Sequence, residues 1–406
     1  MAPPESYLVI GGAGSLGEVV VQQLLARGES KVSIYDALPL APEQHNRFGG
    51  FVQSFVGDLT AADNTFEAAL VASEATCIIH CGMVVTPTSQ AALYPAGPLP
   101  FFTPAQRKAQ SDALRDLHRK INTDGMRRVF AAILQGGSTV TQMVYISQAD
   151  IVFDGSHKPM LREADAQYPA KIWDDMLEPA LLGERMVLSF NGVESLRTAT
   201  IRPAAPYGPG RNIANSIREL QAKPGIATLQ IGDNTNLVDR TYVDNIAHAA
   251  ILAADRLSPV HPNHKATVGQ AFFISDASPR PLWDFLRDIW SSVSSLPRGI
   301  PTHISKTPIY MAAGFVDMIN NVRGKKTNAF KRMQFLCATR TYDISLAQSV
   351  LGYAPIVSYE EGIHKTAEWW LQQQLKLCQS RRVEPVQPPL YDPEENMYIS
   401  EKSPFF

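Results

Sequence analysis

The chain has 406 residues, of which 45% are hydrophobic and 19% are charged. This composition supplies a large apolar core and excludes intrinsic disorder as the overall state. The 37 Lys and Arg residues nearly balance the 39 Asp and Glu residues, which gives a net charge of −2. The protein therefore has no broad positive surface that would attract nucleic acid or an anionic membrane. Four cysteines and an N-terminus without signal-peptide features predict a reducing compartment and a cytoplasmic protein.

Two short apolar stretches could indicate a metal site or a membrane-spanning helix. Cys77 and Cys81 enclose a short run that contains His80, but no second cluster of ligands follows, so we predict no metal site. The stretch from Pro308 to Val322 contains Asp317 and is shorter than the roughly 20 residues that cross a bilayer. It predicts an amphipathic helix that packs on the core or, alternatively, touches a membrane or a lipophilic substrate.

Taken in chain order, short β-rich runs alternate with helical stretches. Strands are predicted at 7–10, 31–35, 51–56, 75–80, 142–147 and 198–202. Helices are predicted at 16–26, 61–72, 112–135 and 174–191, where apolar residues recur at helical spacing. Such alternation is typical of βαβ units and predicts a doubly wound α/β fold with a parallel sheet.

Two segments interrupt this alternation. Residues 86–107 contain five prolines and two adjacent phenylalanines, which predicts a long irregular loop. Because it follows a predicted strand of the sheet, it is either a lid over the ligand crevice or a surface insertion. Residues 379–406 lack periodicity and are predicted to be a flexible tail.

A glycine-rich turn joins the first predicted strand to the first helix. Gly11, Gly14 and Gly17 would let the backbone and the adjoining Leu16 approach a pyrophosphate at the helix N-terminus. Asp36 follows Gly17 by 19 residues and ends the second strand. A carboxylate there accepts hydrogen bonds from an adenosine ribose and repels a 2′-phosphate, so we predict NAD rather than NADP as the cofactor.

Later motifs carry a resemblance to a known family. With the glycine spacing, they make the chain similar to extended short-chain dehydrogenases/reductases, and within them to the 3β-hydroxysteroid dehydrogenase and sterol-4α-carboxylate 3-dehydrogenase branch, over residues 7–370. The motifs are Val56-Gly57-Asp58-Leu59, His80-Cys81, Ile201-Arg202-Pro203, Tyr207-Gly208-Pro209-Gly210, Tyr242-Val243-Asp244-Asn245 and Leu351-Gly352-Tyr353.

The resemblance implies positions for the cofactor and a class of substrate. Asp58 and Leu59 would lie beside the adenine, and Cys81 and Pro203 would belong to the same cofactor site. The substrate would be a lipophilic polycycle such as a sterol or a terpenoid. Relatives often dimerise, so a homodimer is compatible with the resemblance.

The family's chemistry needs a Ser, a Tyr and a Lys four residues after the Tyr. Alignment with the family's segments places Gln148, Met176 and Ala180 at these three positions, so the catalytic residues are replaced. A shifted register would instead use Tyr168 and Lys171, which are three residues apart.

Other side chains could take over the chemistry. Gln148 and Asp150 are two residues apart and would share one face of an extended strand, toward the substrate cavity. Asp150 could then be a general acid or base and Gln148 could bind a substrate carbonyl, whereas the alternative is that Asp150 caps a turn after the strand. Met176 and Ala180 would form an apolar wall for a greasy ligand, unless Met176 packs in the core.

The predicted organisation has two lobes and a tail. Residues 1–210 form an NAD-binding domain completed by about 238–276, and residues 211–237 with 277–378 form a smaller, discontinuous substrate lobe.

Three functions remain open. The first is an enzyme that keeps NAD and performs redox-neutral isomerisation, elimination or cyclisation. The second is an NAD-dependent oxidoreductase with a relocated acid or base. The third is an inactive protein that binds a ligand or a protein partner.

Overall fold

The computed structural model describes residues 5–81, 116, 119–135, 137–170, 172, 174, 177–210, 213, 217, 229–293, 302–323 and 328–383. The predicted loop at 86–107, Lys171, Met176 and residues 384–406 lie outside the described residues.

A seven-stranded parallel sheet contains six strands from the first half of the chain and one, β12, from the second half. Its strands are β1 (Tyr7–Ile10), β2 (Val32–Asp36), β3 (Val52–Val56), β4 (Cys77–His80), β5 (Gln142–Ile146), β7 (Arg197–Pro203) and β12 (Gln270–Ile274). The spatial order is β12-β7-β5-β4-β1-β2-β3, so the direction of winding reverses between β1 and β4. A ligand crevice is expected outside the carboxyl ends of these two strands. The predicted doubly wound fold is confirmed, with strand boundaries within two residues of the prediction.

Helices cover both faces of this sheet, and each face has its own apolar cluster. The helices are α1 (Ser15–Ala26), α2 (Pro42–Phe48), α3 (Thr65–Ser73), α4 (Met126–Leu134), α5 (Glu178–Ser189), α6 (Val243–Arg256) and the short α7 (His264–Thr267). Helices α1 and α6 bury Val20, Leu24 and Ile246 on one face, while α3, α4 and α5 bury apolar side chains on the other. A π-helical turn, Lys120–Gly125, leads into α4.

A smaller lobe is built mostly from the second half of the chain, with β6 from the first half. Strands β6 (Lys158–Leu161), β10 (Leu237–Val238), β13 (Arg280–Pro281) and β15 (Arg340–Tyr342) form a sheet in the order β13-β10-β15-β6. Two further pairs are β8 (Pro206–Tyr207) with β11 (Thr241–Tyr242) and β9 (Leu229–Ile231) with β14 (Thr302–Ile304). The helices are α8 (Leu282–Val293), α9 (Lys306–Val322), α10 (Ala329–Cys337) and α11 (Tyr359–Val383).

The lobe meets the sheet through an apolar cluster near the end of β5. Phe153 and Leu177 from the first half pack there with Leu282 of α8 and Phe335 of α10. Helix α11 continues to Val383, so residues 379–383 of the predicted tail are helical. Within the described ranges, no helix combines the length and the apolar character needed to cross a bilayer.

Candidate active site

The glycine turn closes tightly over the end of β1. Gly11 has a φ of +80°, its N–H donates to the Tyr35 carbonyl at 2.8 Å, and the Gly14 N–H donates to the Gly11 carbonyl at 3.1 Å. A Cβ at Gly17 would lie 2.1 Å from the Gly11 carbonyl oxygen, so only glycine fits there. Helix α1 begins immediately after the turn, and Leu16 packs on the apolar cluster below it. The first backbone N–H groups of α1 are therefore available to an anion in the crevice.

Asp36 ends β2 beside this turn. One carboxylate oxygen accepts the Ala13 N–H at 3.0 Å and the other accepts the Leu38 N–H at 3.0 Å. These hydrogen bonds fix the carboxylate against the glycine turn. The nearby cation Arg47 donates to Glu18 of α1. The glycine turn therefore has a negative charge from Asp36, because the positive charge of Arg47 is neutralised by Glu18.

The other residues assigned to the cofactor by resemblance lie near the carboxyl ends of sheet strands. Asp58 is exposed and follows β3 by two residues, and its neighbour Leu59 is buried. Cys81 follows β4 directly, and its N–H donates to the carbonyl of the last residue of β1 at 2.8 Å. Pro203 is the last residue of β7. Because the strands are parallel, their carboxyl ends border one edge of the sheet.

Asp150 occupies a turn and not an extended strand. Strand β5 ends at Ile146, Gln148 is extended, and a 3₁₀ turn then spans Ala149–Val152. The expected common face of Gln148 and Asp150 is therefore not formed, although both side chains are buried. The Asp150 carboxylate accepts a hydrogen bond from Arg340 of β15 at 2.9 Å.

This pair is a buried link between the two parts of the chain. The side chains of Asp150 and Arg340 are only 5% and 4% exposed. The guanidinium of Arg340 also lies 3.5 Å from the centroid of the Phe335 ring. Because the Asp150 carboxylate forms a buried ion pair with Arg340, its role is first of all structural. This weakens the hypothesis that Asp150 transfers a proton.

Helix α5 places an alanine where the resemblance expects the lysine. The helix begins at Glu178, with Pro179 in its first turn, where a proline is tolerated. Ala180 is 1% exposed and belongs to the apolar cluster with Ala149 and Ile151. The wall between α5 and the turn after β5 is therefore apolar at this point.

The alternative Tyr168 is engaged in a buried network. Its hydroxyl donates to Glu184 at 2.7 Å and accepts from the Arg202 guanidinium at 3.1 Å. Arg202 also pairs with Glu184, which is fully buried. Burial, followed by the negative charge of Glu184, raises the pKa of Tyr168. A tyrosine needed for proton exchange with a substrate would instead require a free hydroxyl and a lowered pKa.

Sequence reasoning noted His80 but missed the row of buried polar side chains to which it belongs. His80, Tyr145 and Thr200 are direct neighbours on β4, β5 and β7, so they share one face. Their polar side-chain atoms make no hydrogen bond to another described residue. The Tyr145 hydroxyl reaches the backbone of α5, because a Cβ at Gly183 would lie 2.9 Å from it. Burial lowers the pKa of His80 to about 4, so its imidazole is neutral at pH 7.

Asn122 is a second buried polar group that the sequence analysis did not single out. It lies in the π-helical turn before α4, and neither its amide oxygen nor its nitrogen has a partner among the described residues. Single π-helical turns occur frequently at functional sites. The only sequence signal is an Asn followed three residues later by Gly125, and hydrophobic periodicity does not reveal it.

The sheet order and the glycine turn define the architecture of an extended short-chain dehydrogenase/reductase. Among solved structures, a UDP-glucose-4-epimerase of Stenotrophomonas maltophila with bound NAD has a TM-score of 0.65 and 15% identity, covering 92% of this chain and 99% of its own. An epimerase of Methanothermobacter thermautotrophicus has a TM-score of 0.63 and 18% identity, covering 93% and 95%. At such identities the similarity establishes the fold alone.

Sequence comparison identifies the family. The model of the 3-beta hydroxysteroid dehydrogenase/isomerase family matches residues 99–300. The sterol-4-alpha-carboxylate 3-dehydrogenase (decarboxylating) of Saccharomyces cerevisiae is 30% identical over 380 residues, which cover 91% of this chain and 99% of the relative. The corresponding enzyme of Schizosaccharomyces pombe is 31% identical over 376 residues, covering 90% and 98%. This chain belongs to the 3-beta hydroxysteroid dehydrogenase/isomerase family, and the resemblance drawn from its motifs is confirmed.

Proposed function

We propose that this protein is an enzyme that binds NAD at the glycine turn. A Cβ at Gly17 would clash with the Gly11 backbone, so glycine at this position lets α1 begin close against the turn, and the N-terminus of α1 favours the charge of a pyrophosphate. Asp36 would accept hydrogen bonds from the ribose, and its charge opposes a 2′-phosphate. With Arg47 already paired to Glu18, NAD is favoured over NADP. When bound, the cofactor supplies a hydride donor or acceptor.

The remaining cofactor contacts follow from the family. Asp58 and Leu59 would flank the adenine, and Cys81 and Pro203 would lie toward the nicotinamide end. Their positions at the carboxyl edge of the sheet support this assignment.

The substrate is proposed to be a lipophilic polycycle of the sterol class. Full-length relatives are sterol-4-alpha-carboxylate 3-dehydrogenases, which supports a sterol-like ligand. We assign the substrate contacts to a lobe built from 211–237 and 277–378, next to an NAD-binding domain of 1–210 completed by 238–276.

The reaction is proposed to be redox-neutral, namely an isomerisation, elimination or cyclisation. One observation carries this proposal: Ala180, where the family alignment expects the lysine, is buried in an apolar cluster. The two ionisable alternatives, Asp150 and Tyr168, are held in buried polar contacts. Oxidation of an alcohol needs a group that accepts its proton, and such groups contribute on the order of 10²–10⁴-fold. Gln148 would orient a substrate carbonyl by hydrogen bonding.

A second function has specific support. The similarity to dehydrogenases spans nearly the whole length of both chains. A slow NAD-dependent oxidoreductase could use a relocated acid or base. One candidate is the Tyr145 hydroxyl, which has no hydrogen-bond partner among the described residues, and a bound substrate or cofactor would have to offset the burial that raises its pKa.

Cofactor binding is the first measurement. Energy transfer from the five tryptophans to NADH, repeated with NADPH, measures affinity for each nucleotide. Asp36→Ala should weaken NADH binding by about tenfold or more, since it removes hydrogen bonds to a ribose. Asp165→Ala is the matched control, because Asp165 is an exposed carboxylate that pairs with Arg162.

Product analysis then separates the functions. Mass spectrometry of sterol alcohols, ketones and 4-carboxylates incubated with protein and NAD should reveal a product of unchanged oxidation level without net NADH formation. Ketone formation with stoichiometric NADH would establish the second function. NADH binding without any turnover would instead indicate an inactive protein that binds a ligand or partner.

A further inference from the structure

The row of His80, Tyr145 and Thr200, which we call the polar row, is completely buried. Tyr145 belongs to the apolar cluster that α3, α4 and α5 cover, so the polar row lies beneath these helices. The ring centroids of His80 and Tyr145 are 5.5 Å apart. Neither the imidazole nitrogens nor the two hydroxyls have a hydrogen-bond partner among the described residues. Polar groups at such depth nearly always bind ordered water where no protein group serves them, because an unmade hydrogen bond there costs free energy.

The polar row supplies both donors and acceptors for water. Burial keeps the imidazole of His80 neutral, so it has one N–H donor and one acceptor nitrogen. The hydroxyls of Tyr145 and Thr200 each donate one hydrogen bond and accept others. An interior water needs two to four polar partners, and three neighbouring groups of this kind provide them. The chemistry of the row therefore matches water as its ligand.

One end of the polar row adjoins the charged network that reaches the surface. Thr200 lies two residues before Arg202 on β7, so both side chains project from the same face. Arg202 pairs with Glu184 of α5, and the charge of Glu184 contributes, after burial, to the raised pKa of Tyr145. The Tyr168 hydroxyl is bonded to both Glu184 and Arg202, and Tyr168 is only partly buried. Polar groups thus continue from the row to the solvent side of Tyr168.

The other end of the polar row adjoins the crevice. Ser147 follows the last residue of β5 and lies two residues beyond Tyr145. Its side chain is buried, and its hydroxyl has no hydrogen-bond partner among the described residues. His80 is likewise the last residue of β4. Both positions belong to the carboxyl edge of the sheet, which borders the crevice.

We propose that ordered water held by His80, Tyr145 and Thr200 forms a proton path that joins the crevice to solvent at Tyr168. Each water or hydroxyl on the path accepts a proton from one side and releases one to the other. One proton therefore crosses, and every group ends with the charge it had before. The path uses none of the three positions at which the family's catalytic residues are replaced. Its use during turnover rests on the proposed function, whereas the path itself does not.

Exchange of the Tyr145 hydroxyl proton with solvent tests the path without substrate or cofactor. The full chain is labelled with ¹³C at tyrosine Cζ and dissolved in an equal mixture of H2O and D2O. A slowly exchanging hydroxyl then gives two Cζ signals, and a rapidly exchanging one gives a single averaged signal. Tyr145, assigned by the loss of its signal in Tyr145→Phe, should give one. Tyr353 is the internal control and should give two, because its buried hydroxyl donates to the Ser275 carbonyl at 3.0 Å.

A matched pair of variants tests the route. Thr200→Val replaces the hydroxyl by a methyl group and should split the Tyr145 signal into two, whereas Thr200→Ser keeps the hydroxyl and should leave one signal. Two Tyr145 signals in the wild type would overturn the inference, and this measurement decides even if Thr200→Val does not fold. A single signal in a Thr200→Val variant that unfolds cooperatively near the wild-type midpoint would also overturn it. One Tyr145 signal in a wild type that neither binds NADH nor turns over a sterol would refute the proposed function and leave the path established.

Discussion

The ion pair between Asp150 and Arg340 allows a direct decision between a structural and a catalytic role for Asp150. Both side chains are at most 5% exposed, and their charged atoms are 2.9 Å apart. Removing one partner leaves the other charge buried without compensation, which costs about 3–5 kcal/mol. Asp150→Asn and Arg340→Met should therefore each destabilise the protein by roughly that amount. Arg340→Met keeps an aliphatic stem against Phe335, so most of its cost should come from the orphaned carboxylate.

The assay is urea unfolding followed by tryptophan fluorescence, for the two single variants and the double variant. If the charges are coupled, the double variant should lose less than the sum of the single losses, with a difference of about 2–3 kcal/mol. Asp154→Asn is the control. Asp154 pairs with Lys158 at 2.6 Å on the surface, so its removal should change stability by less than about 1 kcal/mol.

Two results would refute this reasoning. Additive losses in the double variant would mean that the two charges do not stabilise one another. A fall in kcat on the order of 10²–10⁴-fold in Asp150→Asn, with unchanged unfolding, would mean that Asp150 transfers a proton.

Three other predictions follow from the same structure. Gly17→Ala should abolish NADH binding, because the added Cβ would lie 2.1 Å from the Gly11 carbonyl oxygen. Gly314→Ala is the control and should leave binding unchanged, because its Cβ would lie 4.0 Å from the Phe330 ring. Burial raises the pKa of Asp239 and Asp276 from 3.8 to about 6. Between pH 3.8 and about 6, the folded state therefore binds more protons than the unfolded state. The free energy of unfolding should fall as pH rises through this window, by roughly 2–3 kcal/mol per carboxyl. In urea unfolding at a series of pH values, Asp276→Asn should reduce this dependence on pH. Gln148→Ser, Met176→Tyr and Ala180→Lys together should produce NADH from a sterol alcohol if the family alignment is correct, and absence of NADH absorbance in a folded triple variant would contradict it.

The sheet was predictable because its strands are locally recognisable. Strand β1 and strand β4 are buried at every residue and consist of short apolar runs, so hydrophobicity alone locates them. The glycine turn was equally accessible, since the steric requirement at Gly17 arises from a residue only six positions earlier. Features that depend on near neighbours in sequence were thus accessible to pattern reasoning.

The chemistry at the end of β5 was less accessible because its determinants are distant in sequence. Asp150 pairs with Arg340, which is 190 residues away in the sequence, and Tyr168 is hydrogen-bonded to Arg202, which is 34 residues away. No periodicity encodes such pairs. The expected extended face of Gln148 and Asp150 failed for a local reason, since the chain turns into a 3₁₀ segment at Ala149.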